Sequence, residues 1–74
     1  MIIKNGDDIL SVGLGIAALN TGGVTKSVSV SLLEEAMIAT KKDLPPKPMT
    51  LANKAEFDRC LIAHVKRLVK RREQ

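Results

Sequence analysis

The chain has 74 residues, 45% of them hydrophobic, with a formal net charge of +4, one cysteine and one aromatic residue. This length allows one domain at most, and an internal disulfide is excluded because Cys60 has no second cysteine to pair with. One cysteine and one histidine do not suffice for a four-ligand zinc site within one chain, so we expect no metal and no cofactor. So short a chain is marginally stable by itself, which predicts self-association or docking on another protein.

The sequence contains no apolar run long enough to cross a membrane. The longest, Val12 to Leu19, has eight residues and includes two glycines, whereas a spanning helix needs about 20. Asp7 and Asp8 precede this run, where a secretory signal would carry basic residues. We therefore expect a cytoplasmic protein, and a lone thiol agrees with a reducing compartment.

Residues 9–20 fit both a helix and a strand, so periodicity alone does not decide between them. The helical stripe consists of Ile9, Val12, Ile16 and Leu19. The alternating strand face consists of Leu10, Val12, Leu14 and Ile16. An acidic N-cap at Asp7 or Asp8 and the glycine stop in "NTGG" favour a helix. We predict a helix near 8–20, with a β-hairpin as the alternative.

A second helix is predicted near 31–41, although the residues before it look strand-like. Residues 27–32 alternate between serine and an apolar side chain. Ser31 and Glu34, however, have the spacing of a capping box, in which each side chain satisfies an N–H group at the start of a helix. Lys41 and Lys42 suit the negative end of that helix, and residues 25–29 are expected to be extended or turn-like.

Three prolines within residues 44–49 predict an extended connector. Thr50 or Asn53 then caps a long helix near 51–72, whose apolar stripe is Phe57, Leu61, Val65 and Leu68. The predicted fold is therefore all-α, with a short N-terminal strand or hairpin allowed. It is a single domain with a helical pair (1–43), the connector (44–49) and a basic amphipathic helix (50–74). We expect the stripe to form a homodimer or to dock on a larger assembly.

Catalytic and metal-binding residues are not predicted. Cys60 and His64 lie four residues apart and share one helix face, but no third residue that would orient the histidine is evident. A dimer could join two such pairs in a Cys₂His₂ site, yet a buried cysteine beside a half-exposed histidine is the simpler interpretation. We predict that the protein is not an enzyme.

A helix-turn-helix is only partly matched by residues 16–33. Ala18, Gly22 and Val28 fit the alanine, turn and core positions of that motif, whereas Gly23 and Ser31 occupy positions that require apolar residues. The second helix would carry one basic residue, followed by two glutamates that phosphates would repel.

Positive charge is concentrated in the second half of the chain. Residues 1–37 carry two basic and four acidic side chains, whereas residues 38–74 carry ten basic and four acidic ones. The candidate partner- or phosphate-binding residues are Arg59, Lys66, Arg67, Lys70, Arg71 and Arg72. A solvated helix end explains them equally well.

The predicted function is that of a small regulatory or inhibitory protein, of the kind found among phage and mobile-element accessory proteins. It would bind an acidic surface or groove of a partner protein, with the basic helix steering the encounter. A DNA-binding regulator is the alternative, with the basic helix on the phosphate backbone. The absence of aromatic residues near the basic end argues against single-stranded nucleic acid.

Overall fold

The computed structural model describes residues 1–72 and contains four β-strands followed by two α-helices. The strands are β1 (Ile2–Asn5), β2 (Asp8–Val12), β3 (Ala17–Thr21) and β4 (Val24–Val28), and the helices are α1 (Val30–Asp43) and α2 (Leu51–Arg72). The strands form one antiparallel sheet in the order β1-β2-β3-β4. The all-α prediction and the helix near 8–20 are therefore wrong, and the hairpin alternative holds. The helices predicted near 31–41 and 51–72 are present.

Glycines at the turns explain why the first 28 residues form strands. Gly22 and Gly23 have φ values of 59° and 83°, and they alone separate the paired residues Thr21 and Val24. Two successive positive φ angles define a turn whose twist matches that of the strands it joins, and glycine adopts them without strain. The "NTGG" segment is thus a hairpin turn and not the end of a helix.

The core lies on one face of the sheet. Direct cross-strand partners share a face, and the row Ile3, Leu10 and Leu19 is buried on the inner face. The remaining buried apolar residues are Ala17 and Val28 from the sheet, Leu32, Leu33 and Ala36 from α1, and Leu61, Ile62, Val65, Leu68 and Val69 from α2. The outer face exposes Ile2, Lys4, Ser11, Thr25 and Ser27. The sheet therefore buries one face and leaves the other to solvent.

The helix α2 packs against β1, β2 and α1. The N-cap of α1 is Ser29, two residues before the predicted cap Ser31: Leu32 N donates to Ser29 Oγ at 3.2 Å. At the start of α2, Asn53 N donates to Thr50 Oγ1 at 3.2 Å, so Thr50 is the capping residue. The predicted proline connector lies between the helices.

Neither helix within residues 1–72 combines the length and the hydropathy that crossing a membrane requires.

Candidate functional site

The structure places a groove between α2 and the inner face of β3 and β4. Its floor is apolar, because Leu19, Val24 and Val69 line it. Its sides carry four cations, and Thr21 completes the lining. We call this surface the basic groove; its residues are Leu19, Thr21, Val24, Lys26, Lys66, Arg67, Val69 and Lys70.

The basic groove exists because α2 covers only part of the sheet. This helix packs on β1 and β2, so the inner face of β4 remains open at Val24, which is 57% exposed, whereas Val28 at the other end of the strand is buried. Lys26 lies on that face directly opposite Leu19. The side chain of Lys66 reaches from α2 to the sheet, where its Nζ lies 3.1 Å from Oδ2 of Asp8. Among residues 1–72 the lining includes four cationic and no acidic side chains, and a neighbouring carboxylate, that of Asp8, is paired with Lys66.

Thr21 gives the groove an unsatisfied polar group. Its Oγ1 atom is the one buried side-chain oxygen or nitrogen of residues 1–72 that lacks a hydrogen-bond partner. Such a group costs about 1–3 kcal/mol when its bonding capacity is left unused.

The predicted basic residues divide into two sets. Lys66, Arg67 and Lys70 line the basic groove together with Lys26, a strand residue that the sequence did not single out. Arg59, Arg71 and Arg72 lie outside it. Arg72 instead joins the two helices, with its Nη2 atom 3.3 Å from Oε2 of Glu35, and this ion pair accounts for its position.

The stripe predicted to mediate self-association lies in the core of a single chain. Leu61, Val65 and Leu68 are at most 3% exposed, and Phe57 packs against the same core. The sheet and α1 of the same chain cover these side chains. They do not form a surface on which a second copy could dock.

Cys60 and His64 do share a face of α2, and Asp43 at the end of α1 joins them. The His64 Nε2 atom lies 2.7 Å from Oδ2 of Asp43, and an Arg67 guanidinium nitrogen lies 3.2 Å from His64 Nδ1. The guanidinium group can only donate, so in this arrangement Nδ1 accepts and Nε2–H donates to Asp43. Among residues 1–72 no hydrogen bond joins Cys60 to His64, which a thiol nucleophile and its base would require.

The helix-turn-helix interpretation is wrong, because residues 17–28, where its turn and second helix would start, form β3 and β4. Comparison with known proteins adds no further assignment: no family model, curated protein or solved structure matches the chain. The site is therefore interpreted from its own geometry.

Proposed function

We propose that this protein is a small, non-enzymatic regulator that binds an extended acidic segment of a partner protein in the basic groove. The observation that carries the proposal is the combination of an apolar floor and cationic sides beside an edge strand. Apolar area supplies affinity, whereas the charges steer the encounter and fix the orientation of the bound segment.

The strand β4 offers a backbone edge to such a segment. It is the last strand of the sheet, and four of its five residues are exposed. Thr21 and Val24 flank a two-residue turn and form a hydrogen-bonded pair, so the alternate residues Thr25 and Ser27 direct their backbone groups away from β3. An extended segment could pair with these groups by strand addition.

The inner face of β4 predicts the pattern of the bound segment. Val24 and Lys26 lie two residues apart on the groove side. A neighbouring strand would therefore place an apolar side chain opposite Val24 and an acidic one opposite Lys26, because opposed side chains on adjacent strands are in contact. The acidic residue would also approach Lys70 across the groove.

Fluorescence anisotropy with a labelled synthetic peptide tests this proposal. In the peptide every second residue is serine, and the residues between the serines are valine and glutamate in turn. We expect saturable binding by the full chain, and loss of binding when lysine replaces the glutamates. Lys70→Glu should weaken binding about tenfold, equivalent to about 1.4 kcal/mol. Lys4→Glu makes the same charge change on the outer face of the sheet and serves as the matched control. Equal effects of the two variants would contradict a site in the groove.

Ser27→Pro tests the edge of β4 separately from the charges. Proline lacks the N–H group that a bound strand would use, and an edge strand tolerates it because that group is not part of the β3–β4 ladder. We expect weaker peptide binding with an unchanged circular dichroism spectrum. Full peptide affinity in this variant would exclude strand addition.

Binding of duplex nucleic acid is the second candidate, supported by the absence of any acidic residue in α2 from Arg59 to Arg72. Phosphate contacts would make the affinity fall steeply with salt, since each releases a counterion. We expect Ser27→Pro to leave duplex binding unchanged, whereas Lys70→Glu weakens it. The two variants together distinguish the two functions.

Self-association and a cytoplasmic location remain predictions. Because the stripe of α2 is buried, self-association would use other apolar side chains, and one exposed group of them lies at one end of the sheet: Met1, Ile2, Leu14 and Ile16.

A further inference from the structure

Three side chains of different chemistry meet where the end of α1 lies beside the middle of α2. Asp43, Cys60 and His64 each offer one ligand atom, and these three atoms all lie within 4.8 Å of one another. The three residues come from two helices, and 21 positions separate Asp43 from His64. The cluster is thus a product of the tertiary fold.

The position of Asp43 needs an explanation, because it is the last residue of α1. A carboxylate at the C-terminal end of a helix meets the negative pole of the helix dipole, which costs about 0.3–1 kcal/mol. The carboxylate is half-exposed, with 57% of its side chain accessible, whereas the His64 side chain is 17% accessible. An ion arriving from solvent would therefore reach the carboxylate first.

We infer that Asp43, Cys60 and His64 form a zinc-binding site with three protein ligands. Thiolate, imidazole and carboxylate are the ligand types that zinc takes in proteins, and a site with three of them leaves the fourth tetrahedral position to water. Tetrahedral coordination places ligand atoms roughly 3.3–3.6 Å apart. The observed separations of at most 4.8 Å exceed that spacing by no more than about 1.5 Å, a difference that side-chain rotation can close.

Binding of the ion at His64 Nε2 would replace the hydrogen bond to Asp43 by coordinate bonds. The Cys60 thiol would release its proton to solvent, and the proton of the neutral ring would lie on Nδ1, which faces the Arg67 guanidinium. The ion would tie the end of α1 to the middle of α2. Arg67 opposes this, because its positive charge lies beside the His64 ring. Removal of Arg67 should therefore tighten zinc binding. Weaker zinc binding in Arg67→Ala would contradict this and would mean that Arg67 helps to shape the site.

Zinc titration of the full chain against a chromophoric chelator tests the inference. We expect one ion per chain, and a loss of affinity of about a hundredfold or more in Cys60→Ser and His64→Gln, since losing even an indirect metal contact commonly costs 10–100-fold. Asp58→Asn removes a carboxylate of the same helix that pairs with Lys54, and it should leave affinity unchanged. Unchanged affinity in Cys60→Ser, or one ion per two chains, would overturn the site as described.

Two further measurements keep the inference testable if a core-facing variant fails to fold. Cobalt(II) in place of zinc should give a thiolate-to-metal absorption band that is absent from Cys60→Ser and retained, with weaker affinity, in Asp43→Asn, whose side chain is exposed. Zinc at a hundredfold excess over its Kd should raise the Tm by about 10 °C or more. If the wild-type chain shows neither the cobalt absorption band nor the rise in Tm with zinc, the proposal is refuted.

Discussion

The two ends of α2 have the same secondary structure but different surroundings. Leu51 at its start is 89% exposed, whereas Leu61, Ile62 and Val65 are at most 2% exposed. The half of the helix that begins at Leu61 packs one face against the sheet and α1, whereas the half before it borders the proline connector and reaches the core through Phe57. Helix formation and core formation therefore contribute separately to stability. Residues near the start of α2 are helical without being buried, whereas those from Leu61 onward also form part of the core.

The largest expected effect comes from shortening a leucine in each half. Leu61→Ala should lower the free energy of unfolding by about 2–5 kcal/mol, because it removes buried methyl groups and leaves a cavity. Leu51→Ala makes the same change at an exposed position and should cost less than about 0.5 kcal/mol. Urea unfolding followed by circular dichroism measures both.

A similar loss in the two leucine variants would show that the two halves of α2 do not differ as described. Ile62→Val provides a milder core change of about 0.5–1.5 kcal/mol if Leu61→Ala has no folded baseline.

The second half of the chain was predictable because several independent signals agree there. The stripe of α2 recurs at helical spacing, the prolines end the preceding segment, and Thr50 provides a cap. Its burial against the same chain was not predictable, because the stripe carries no information on what covers it. Assigning it to a second copy followed from the assumption that the first 28 residues do not supply a sheet.

The first half was ambiguous because its residues satisfy two periods at once. Leu10 and Val12 follow the strand template, but Leu14 and Ile16 lie in the β2–β3 loop and are 103% and 74% exposed. Neither template predicts exposed apolar residues at those positions. The glycine pair was the decisive signal, since consecutive glycines favour a hairpin turn over a single glycine cap.

The candidate sites were predictable only where one helix contributes all the residues. Lys66, Arg67 and Lys70 were identified from α2 alone, as was the Cys60–His64 pair. Lys26 and Asp43 were not, because tertiary contacts bring them in from distant positions in the sequence. The alternation of Val24 and Lys26 along a strand is the signal that could have indicated Lys26.

Removing the N-caps of the two helices should have effects on stability of intermediate size. Ser29 lies at the packed end, where it accepts from Leu32 N and from Nη1 of Arg72, at 3.2 Å each. Ser29→Ala should therefore cost about 1 kcal/mol. Thr50→Ala removes the cap of the exposed end, and its effect on global unfolding should be smaller because the first turn of α2 can fray separately.

Ser31→Ala is the comparison variant for Ser29, since the Ser31 hydroxyl contacts that of Ser29 at 3.3 Å but is not itself the N-cap of α1. It should change stability by less than about 0.5 kcal/mol. A larger loss for Ser31→Ala than for Ser29→Ala in thermal unfolding would restore the capping box predicted from the sequence.

The smallest expected effect concerns two ion pairs, one at each end of α2. Lys66 Nζ lies 3.1 Å from Asp8 Oδ2, and the Asp8 side chain is 18% exposed. Lys47 Nζ lies 3.9 Å from Glu56 Oε2, and both side chains are more than 40% exposed. Asp8→Asn should therefore cost about 0.2–1 kcal/mol, while Glu56→Gln should cost nothing measurable, because exposed pairs are weak and entropically costly to hold. Urea unfolding at low and high salt tests this, since screening should shrink only the Asp8→Asn effect; a loss that is independent of salt would mean that Asp8 acts through the β1–β2 turn and not through Lys66.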